Sequence, residues 1–220
     1  TPGTIKLYSV VSQENNYGAL LDNGADGAKG SVYLYNKYGE NQFSGSLAGG
    51  GIQVISNGTV TMQGVIAEDN ALDGIKIENN ETGRSSSVSL YDVFAYGNTG
   101  RGIDVISHGT ITLTRVDASG NTGKGANLEN DGSAGSPSIS VKDSVFNDNT
   151  GSGSDSDGLY IFSKGAVTIT NVHASNNEGD GLYIWNPQDT SPSSVSVRCT
   201  TSEACQFSNN DANGLFLYAY

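Results

Sequence analysis

The chain is short of positive charge. Its 11 Lys plus Arg face 23 Asp plus Glu, a formal net charge of −12 over 220 residues. Such a surface repels phosphate backbones, which argues against nucleic-acid binding. Hydrophobic residues make up only 35%, which is low for a compact globular core. No apolar run approaches the roughly 20 residues of a membrane-spanning helix. No signal peptide is visible and the first residue is Thr. That reads as a processed product or a trimmed segment. Cysteine is scarce too, with Cys199 and Cys205 in "RCTTSEACQ". A zinc site needs about four ligands, and no His lies nearby. A local disulfide and hence an oxidising, extracellular setting is one reading of the pair. Two reduced core thiols are the other.

Gly is what the chain has in quantity, 30 residues of it. Much of it is periodic. A Gly followed by alternating apolar residues recurs as "GALLDN", "GIQVIS", "GIKIEN", "GIDVIS", "GANLEN", "GLYIFS", "GLYIWN" and "GLFLYA". These begin at Gly18, Gly51, Gly74, Gly102, Gly125, Gly158, Gly181 and Gly214, with spacings of 33, 23, 28, 23, 33, 23 and 33. Short and long units alternate throughout, and such self-similarity is the mark of a repeat fold.

Each unit has the same internal order. Apolar residues two apart follow the Gly, as in Ile75 and Ile77 or Leu182 and Ile184. Period two puts both on one face of a strand. A turn comes next, tight in short units ("SNGT", "SHGT", "SKGA") and longer in long ones. A second strand follows ("TVTMQ", "SVSLY", "TITLT", "SISVK", "AVTIT", "SVSVR"). A third short strand starts near Val65, Val93, Val116, Val145 and Val172. An Asn closes the unit: Asn15, Asn70, Asn98, Asn121, Asn149, Asn177 and Asn210. Asn tolerates left-handed turns, and stacked Asn side chains can bond the Asn above and below. Three strands and three turns per unit describe one coil of a parallel β-solenoid. Inward residues then stack on their counterparts about 4.8 Å away.

The pattern resembles the right-handed parallel β-helix proteins of the pectate-lyase-like superfamily. The resemblance covers nearly the whole chain as a single domain, residues 1–220, and is weakest over residues 31–50. It implies an all-β, right-handed β-helix of about eight coils, alternating short and long. A left-handed helix on hexapeptides is the other solenoid, and coils of this length fit it poorly. Function is open, because the superfamily holds lyases, hydrolases, adhesins and structural proteins. In this frame the Cys pair sits on an insertion, since ten residues separate Val197 from Phe207 where five separate Val141 from Phe146.

Superfamily enzymes use outward carboxylates and basic residues on adjacent coils. Hydrolysis needs two carboxylates about 5 to 9.5 Å apart. Glu78, Asp104 and Glu129 with Lys76 form either such a site or a solvated face. The acidic turns "DNGADG" and "GSGSDSDG" read as calcium loops or as ordinary Asp/Gly turns. His108 and His173 have no visible nucleophile partner, and nothing in the pattern asks for a cofactor.

Two features remain. Outward columns turn aromatic toward the C-terminus: Tyr160, Tyr183 and Phe216 in one, Phe162, Trp185 and Tyr218 in the next. Six exposed rings on one face would be a contact surface for polysaccharide or another subunit, unless a loop covers them. The ends are the other feature. "GLFLYAY" matches the first strand of a coil, and "GTIKLYSVVSQENNYG" matches the rest of one. Residues 214–220 are expected to pair with residues 1–8 of another copy. Leu215, Leu217 and Tyr220 would then continue into Ile5 and Leu7. A contact of that kind, head to tail and not closing, makes a filament. The rival reading is a segment cut from a longer β-helix.

Overall fold

In the computed structural model the described residues are 3–24, 30–80, 85–130, 137–151, 153–187, 193–200 and 205–219. The Gly-led motifs form the strands Ala19–Asn23, Ile52–Ser56, Ile75–Asn79, Ile103–Ser107, Ala126–Asn130, Leu159–Ser163, Leu182–Asn186 and Leu215–Ala219. These make one eight-stranded parallel sheet. The segments between them build a ten-stranded parallel sheet, which includes Ile5–Tyr8, Val32–Tyr35, Val60–Glu68, Val88–Tyr96 and Val195–Arg198. From Ile52–Ser56 onward successive strands alternate between the sheets, and before it pairs of strands in the ten-stranded sheet alternate with one in the other, so the chain winds as a solenoid. A single 3₁₀ turn, Gly153–Ser156, is the only helix among the described residues.

Side chains two apart on each strand point into the coil. Ile77, Val105, Leu128, Ile161 and Ile184 stand in one column, each paired in register with the next and fully buried. Residues 31–50, where the repeat is hardest to read, obey the same register. Val32 stacks between Ile5 and Val60, and Leu34 between Leu7 and Met62.

The second and third strands run on through a sharp corner. Gly64, Asp92, Arg115, Asp143 and Asn171 occupy it with φ of 62°, 52°, 54°, 50° and 52°. One left-handed residue resets the alternation, so Met62 and Val65 both face inward although they are three apart. Here the structure corrects the sequence. Ser144, not Val145, pairs with Val172, and Val145 pairs with His173. The buried Ser144 hydroxyl donates to the Lys142 carbonyl at 2.8 Å and accepts from the Val116 amide at 3.1 Å. A hydroxyl in an apolar column gives no hydrophobic signal to read.

The next corner carries the Asn column. Asn70 donates its backbone N–H and its Nδ2 to Asn98 Oδ1 at 3.1 and 2.9 Å. The same pair of bonds runs from Asn98 to Asn121, Asn149, Asn177 and Asn210, all at 3.0–3.2 Å. The spare Nδ2 hydrogens reach corner carbonyls such as Phe43, Ala67 and Ala174. Asn15 does not join. Ser46 occupies the intervening coil and donates only its N–H to Asn70 Oδ1, while Asn15 Nδ2 turns to Ser12 Oγ at 3.2 Å.

A third column closes the first strands. Asn23, Ser56, Asn79, Ser107, Asn130, Ser163 and Asn186 lie in register, with Asn before long turns and Ser before tight ones. Each Ser folds its hydroxyl onto the Gly two residues on, as in Ser56–Gly58, Ser107–Gly109 and Ser163–Gly165 at 3.0–3.1 Å. The Asn of the next coil donates to the carbonyl of that Gly: Asn79 to Gly58, Asn130 to Gly109 and Asn186 to Gly165, at 2.7–3.0 Å.

Truncating Ile161 to Ala leaves a cavity in the column and is expected to cost about 2–5 kcal/mol in denaturant unfolding. Asn121→Ala strips the acceptor from two buried Asn98 donors and is expected to cost about 1–3 kcal/mol for each group left unpaired. A loss below about 0.5 kcal/mol in the same unfolding measurement, the range of ordinary surface changes, would mean that the ladder adds nothing to stability.

Candidate functional site

The outer face of the eight-stranded sheet holds most of the chemistry. One outward column reads Leu20, Gln53, Lys76, Asp104, Asn127, Tyr160, Tyr183 and Phe216 along the solenoid. Beside it, the residues just before each strand's Gly also stack: Gly50, Asp73, Arg101, Lys124, Asp157, Asp180 and Asn213. The face therefore changes from apolar and open, through charged, to aromatic.

In the charged zone every candidate carboxylate is engaged. Glu78 takes Lys76 Nζ at 3.3 Å and Gln53 Nε2 at 2.9 Å. Asp104 is buried and takes Arg101 Nη1 at 3.0 Å and Asn127 Nδ2 at 2.8 Å, and the same amide reaches Glu129 at 3.0 Å. The candidates thus fall into two bonded groups, Lys76 with Glu78 and Gln53, and Asp104 and Glu129 with Arg101 and Asn127. Farther along, the buried Lys124 Nζ lies 3.3 Å from Asp155, 3.9 Å from Asp157 and 5.2 Å above the Tyr160 ring. Burial pushes the Asp157 carboxyl up to about 6, against the pull of the Asp180 amide and Lys124. Burial likewise raises Asp73, against the Arg101 amide that bonds it at 2.8 Å.

The aromatic zone is less exposed than its composition suggests. Tyr160, Tyr183 and Phe216 lie nearly parallel, with centroids 5.1 and 4.8 Å apart. Phe162 meets Trp185 edge-on at 5.4 Å. Each ring covers its neighbour, so Tyr160, Phe162 and Tyr183 are half-buried and only Trp185, Phe216 and Tyr218 are exposed. Six exposed rings are thereby corrected to three. A sugar that stacks on ring faces finds those of the inner pair already used.

Cys199 and Cys205 are bonded, with Cα atoms 5.5 Å apart. The bond lies between the strand Val195–Arg198 and Gln206, which bridges to His173. His108 and His173 are half-buried. Parts of both acidic turns fall outside the described residues, and among the described residues no cluster of three or more metal-binding side chains exists. No helix among them is long and apolar enough to cross a membrane.

At the ends the topology corrects the expected pairing. Ile5–Tyr8 and Leu215–Ala219 belong to different sheets, so they cannot be ladder partners. Leu215–Ala219 lies at the opposite end of the eight-stranded sheet from Ala19–Asn23, and Val195–Arg198 at the opposite end of the ten-stranded sheet from Ile5–Tyr8. Tyr220 lies outside the described residues. Leu215 and Leu217 are 43% and 45% exposed, while Leu182 and Ile184 beneath them are 0% exposed. Ile5 and Leu7 are half-buried.

Two features went unread in the sequence. The Ser/Asn alternation was visible in "VIS", "IEN", "VIS", "LEN", "IFS" and "IWN". A cleft at Gly50 leaves only a run of three glycines, Gly49–Gly51, as its trace.

A family described as the right handed beta helix region matches residues 30–196. No curated protein and no solved structure matches the chain.

The Asp157 shift has a sign. An acid whose folded value lies above its unfolded 3.8 holds its proton better when folded. Its contribution to stability is full below about pH 4 and lost as pH rises through about 6. The denaturant midpoint is expected to fall over that window, and the fall to be shallower in Asp157→Asn. Equal slopes in the two proteins would contradict the assignment.

Proposed function

The chain belongs to the right-handed parallel β-helix family, and from that premise we propose that it is a structural protein that stacks head to tail on copies of itself, outside the cell. The observation that carries this reading is the exposure of Leu215 and Leu217 at the top of columns that are dry beneath them. An open apolar column beside unpaired strand edges templates association. A second copy offers matching groups in several columns at once. Leu215 and Leu217 would meet Ala19 and Leu21, and Val195 and Val197 would meet Ile5 and Leu7. Phe216, the last ring of its stack, would close on Leu20, which is exposed. Asn210, the last member of the ladder, would donate to Asn15 Oδ1, leaving Asn15 Nδ2 on Ser12 Oγ. Arg198 would lie over Tyr8, a cation on an aromatic face. The stacked rings are then a rib that stiffens the solenoid, with its open end at the junction.

The Cys199–Cys205 disulfide supports an oxidising, non-cytoplasmic setting. Eight stacked strands at about 4.8 Å give a rise of ~38 Å per subunit. Fibres of that repeat are expected in electron micrographs of the purified chain, with scattering mass that grows with concentration. Leu217→Asp, which leaves Ile161 and the columns below it untouched, should return the protein to monomer with its fold intact by circular dichroism. A wild-type chain that stays monomeric at high concentration would mean that something other than a copy covers these columns.

A further inference from the structure

Lys124 is the one buried base among the described residues, and end stacking does not use it. It stands between Arg101 and Asp157 in the column that precedes each Gly. Its Nζ lies 3.3 Å from Asp155 Oδ1 and 3.9 Å from Asp157 Oδ2, with the Tyr160 ring 5.2 Å away on another side. The two carboxylates differ. The Asp155 side chain, on the turn Gly153–Ser156, is 78% exposed, whereas that of Asp157 is 2% and that of Lys124 7% exposed. Asp157 Oδ1 accepts from the Asp180 amide at 2.9 Å. Its Oδ2 is buried without a hydrogen-bond partner among the described residues. The backbones around the three groups are pinned. The Gly125 amide donates to the Asp157 carbonyl at 3.0 Å, and the Gly179 amide to the Ser156 carbonyl at 3.2 Å. An ion pair needs only Lys124 and one acid. Here a second acid is held beside them, buried and with one oxygen to spare.

We propose that Lys124 and Asp155 condense into an intramolecular isopeptide bond, Nζ to Cγ, with Asp157 carrying the protons. As a carboxylate, Asp157 takes one proton from the Lys124 ammonium and passes it to the Asp155 carboxylate. The neutral amine adds its lone pair to Asp155 Cγ and forms the C–N bond. The C–O bond then breaks, and that oxygen leaves as water with a second proton from the nitrogen, again relayed by Asp157. One ammonium and one carboxylate become a neutral amide and a water, with no oxidant or reductant, and Asp157 ends as it began. Burial holds the Asp157 carboxyl up to about 6, with Asp180 and Asp155 also opposing its charge, and a group that titrates near neutral pH is suited to such a relay. The product removes a charge that is costly to keep buried. Groups held in place react with effective molarities of about 10⁵–10⁸ M, which favours a condensation that water would reverse for free partners. The exposed side of Asp155 leaves the water a way out. The bond would join positions 31 residues apart and tie one coil to the next by a covalent link.

Mass spectrometry of the full chain, after incubation of the folded protein at neutral pH, reads the bond directly. The parent is expected to be lighter by one water than its sequence with the disulfide closed. Trypsin should leave the chain uncut after Lys124 and release one branched peptide that joins Lys124 to Asp155. Lys124→Arg keeps the charge and should restore the full mass, and so should Asp155→Ala, whose exposed position spares the core if the first variant folds poorly. Asp157→Asn keeps the shape of the relay without its proton and should slow bond formation roughly a hundredfold. The proposal is overturned if the folded parent keeps its full mass. It is equally overturned if the water loss persists in Lys124→Arg, as a succinimide in the turn would, or if Asp157→Asn forms the bond at the parental rate. The masses are read on denatured chains, so none of these outcomes depends on whether copies stack.

Discussion

Parallel pairing sets every side chain about 4.8 Å above its counterpart in the coil below. Each position must therefore tolerate a near copy of itself as its closest neighbour. Apolar residues do so by packing, and they fill the inward columns from Val32 to Ile184. Amides do so because Asn both donates and accepts, and the Asn70–Asn210 ladder passes bonds in one direction without an orphan between its members. Rings do so by stacking. Charges of one sign repel there, as Asp157 and Asp180 do in adjacent coils, and other outer positions pair or separate them. Arg115 takes Asp92 through two bonds at 2.6 and 2.9 Å. Asn171 takes Asp143 at 2.8 Å. Ile106 stands between Glu78 and Glu129 and keeps the two carboxylates two coils apart.

The corners answer a second demand, since an extended chain must bend without losing the ladder. A single left-handed residue does this at each bend. Asp, Asn and Gly hold most of these sites, the types that adopt the conformation at least cost. Because each bend also resets which side chains face inward, a core can run round the corner with no polar residue forced inside.

The parts of this fold that were legible in the sequence are those carried by strict period two after a Gly. The column Ile77–Ile184 and its outward partners follow from that parity alone. Ser144 was missed because a satisfied hydroxyl replaces an apolar side chain at a bend where parity restarts. Asn15 was misplaced because membership of a ladder depends on the neighbour, and Ser46 cannot pass the bond on. Composition counts rings on a face but not ring upon ring, which is why Tyr160 and Tyr183 looked bare. The cleft beside Gly50 was invisible because its walls, Tyr17, Gln53 and Lys76 among them, come from three coils far apart in the chain.

The alternation of Ser and Asn at the ends of the first strands has a spatial outcome. A tight turn, latched by Ser, hugs the wall of the solenoid, and the next Asn pins its carbonyl from above. Each long turn inside the series, at 80–87 and at 131–138, is therefore flanked on both sides by a low one. It has the height of two coils, about 9–10 Å, in which to emerge. Loops of eight or nine residues on every coil would collide at half that distance. A chain built this way can lengthen, shorten or rewrite alternate turns without disturbing either the core or the neighbouring loop. One edge of the rod becomes a rack of independently variable segments at regular intervals.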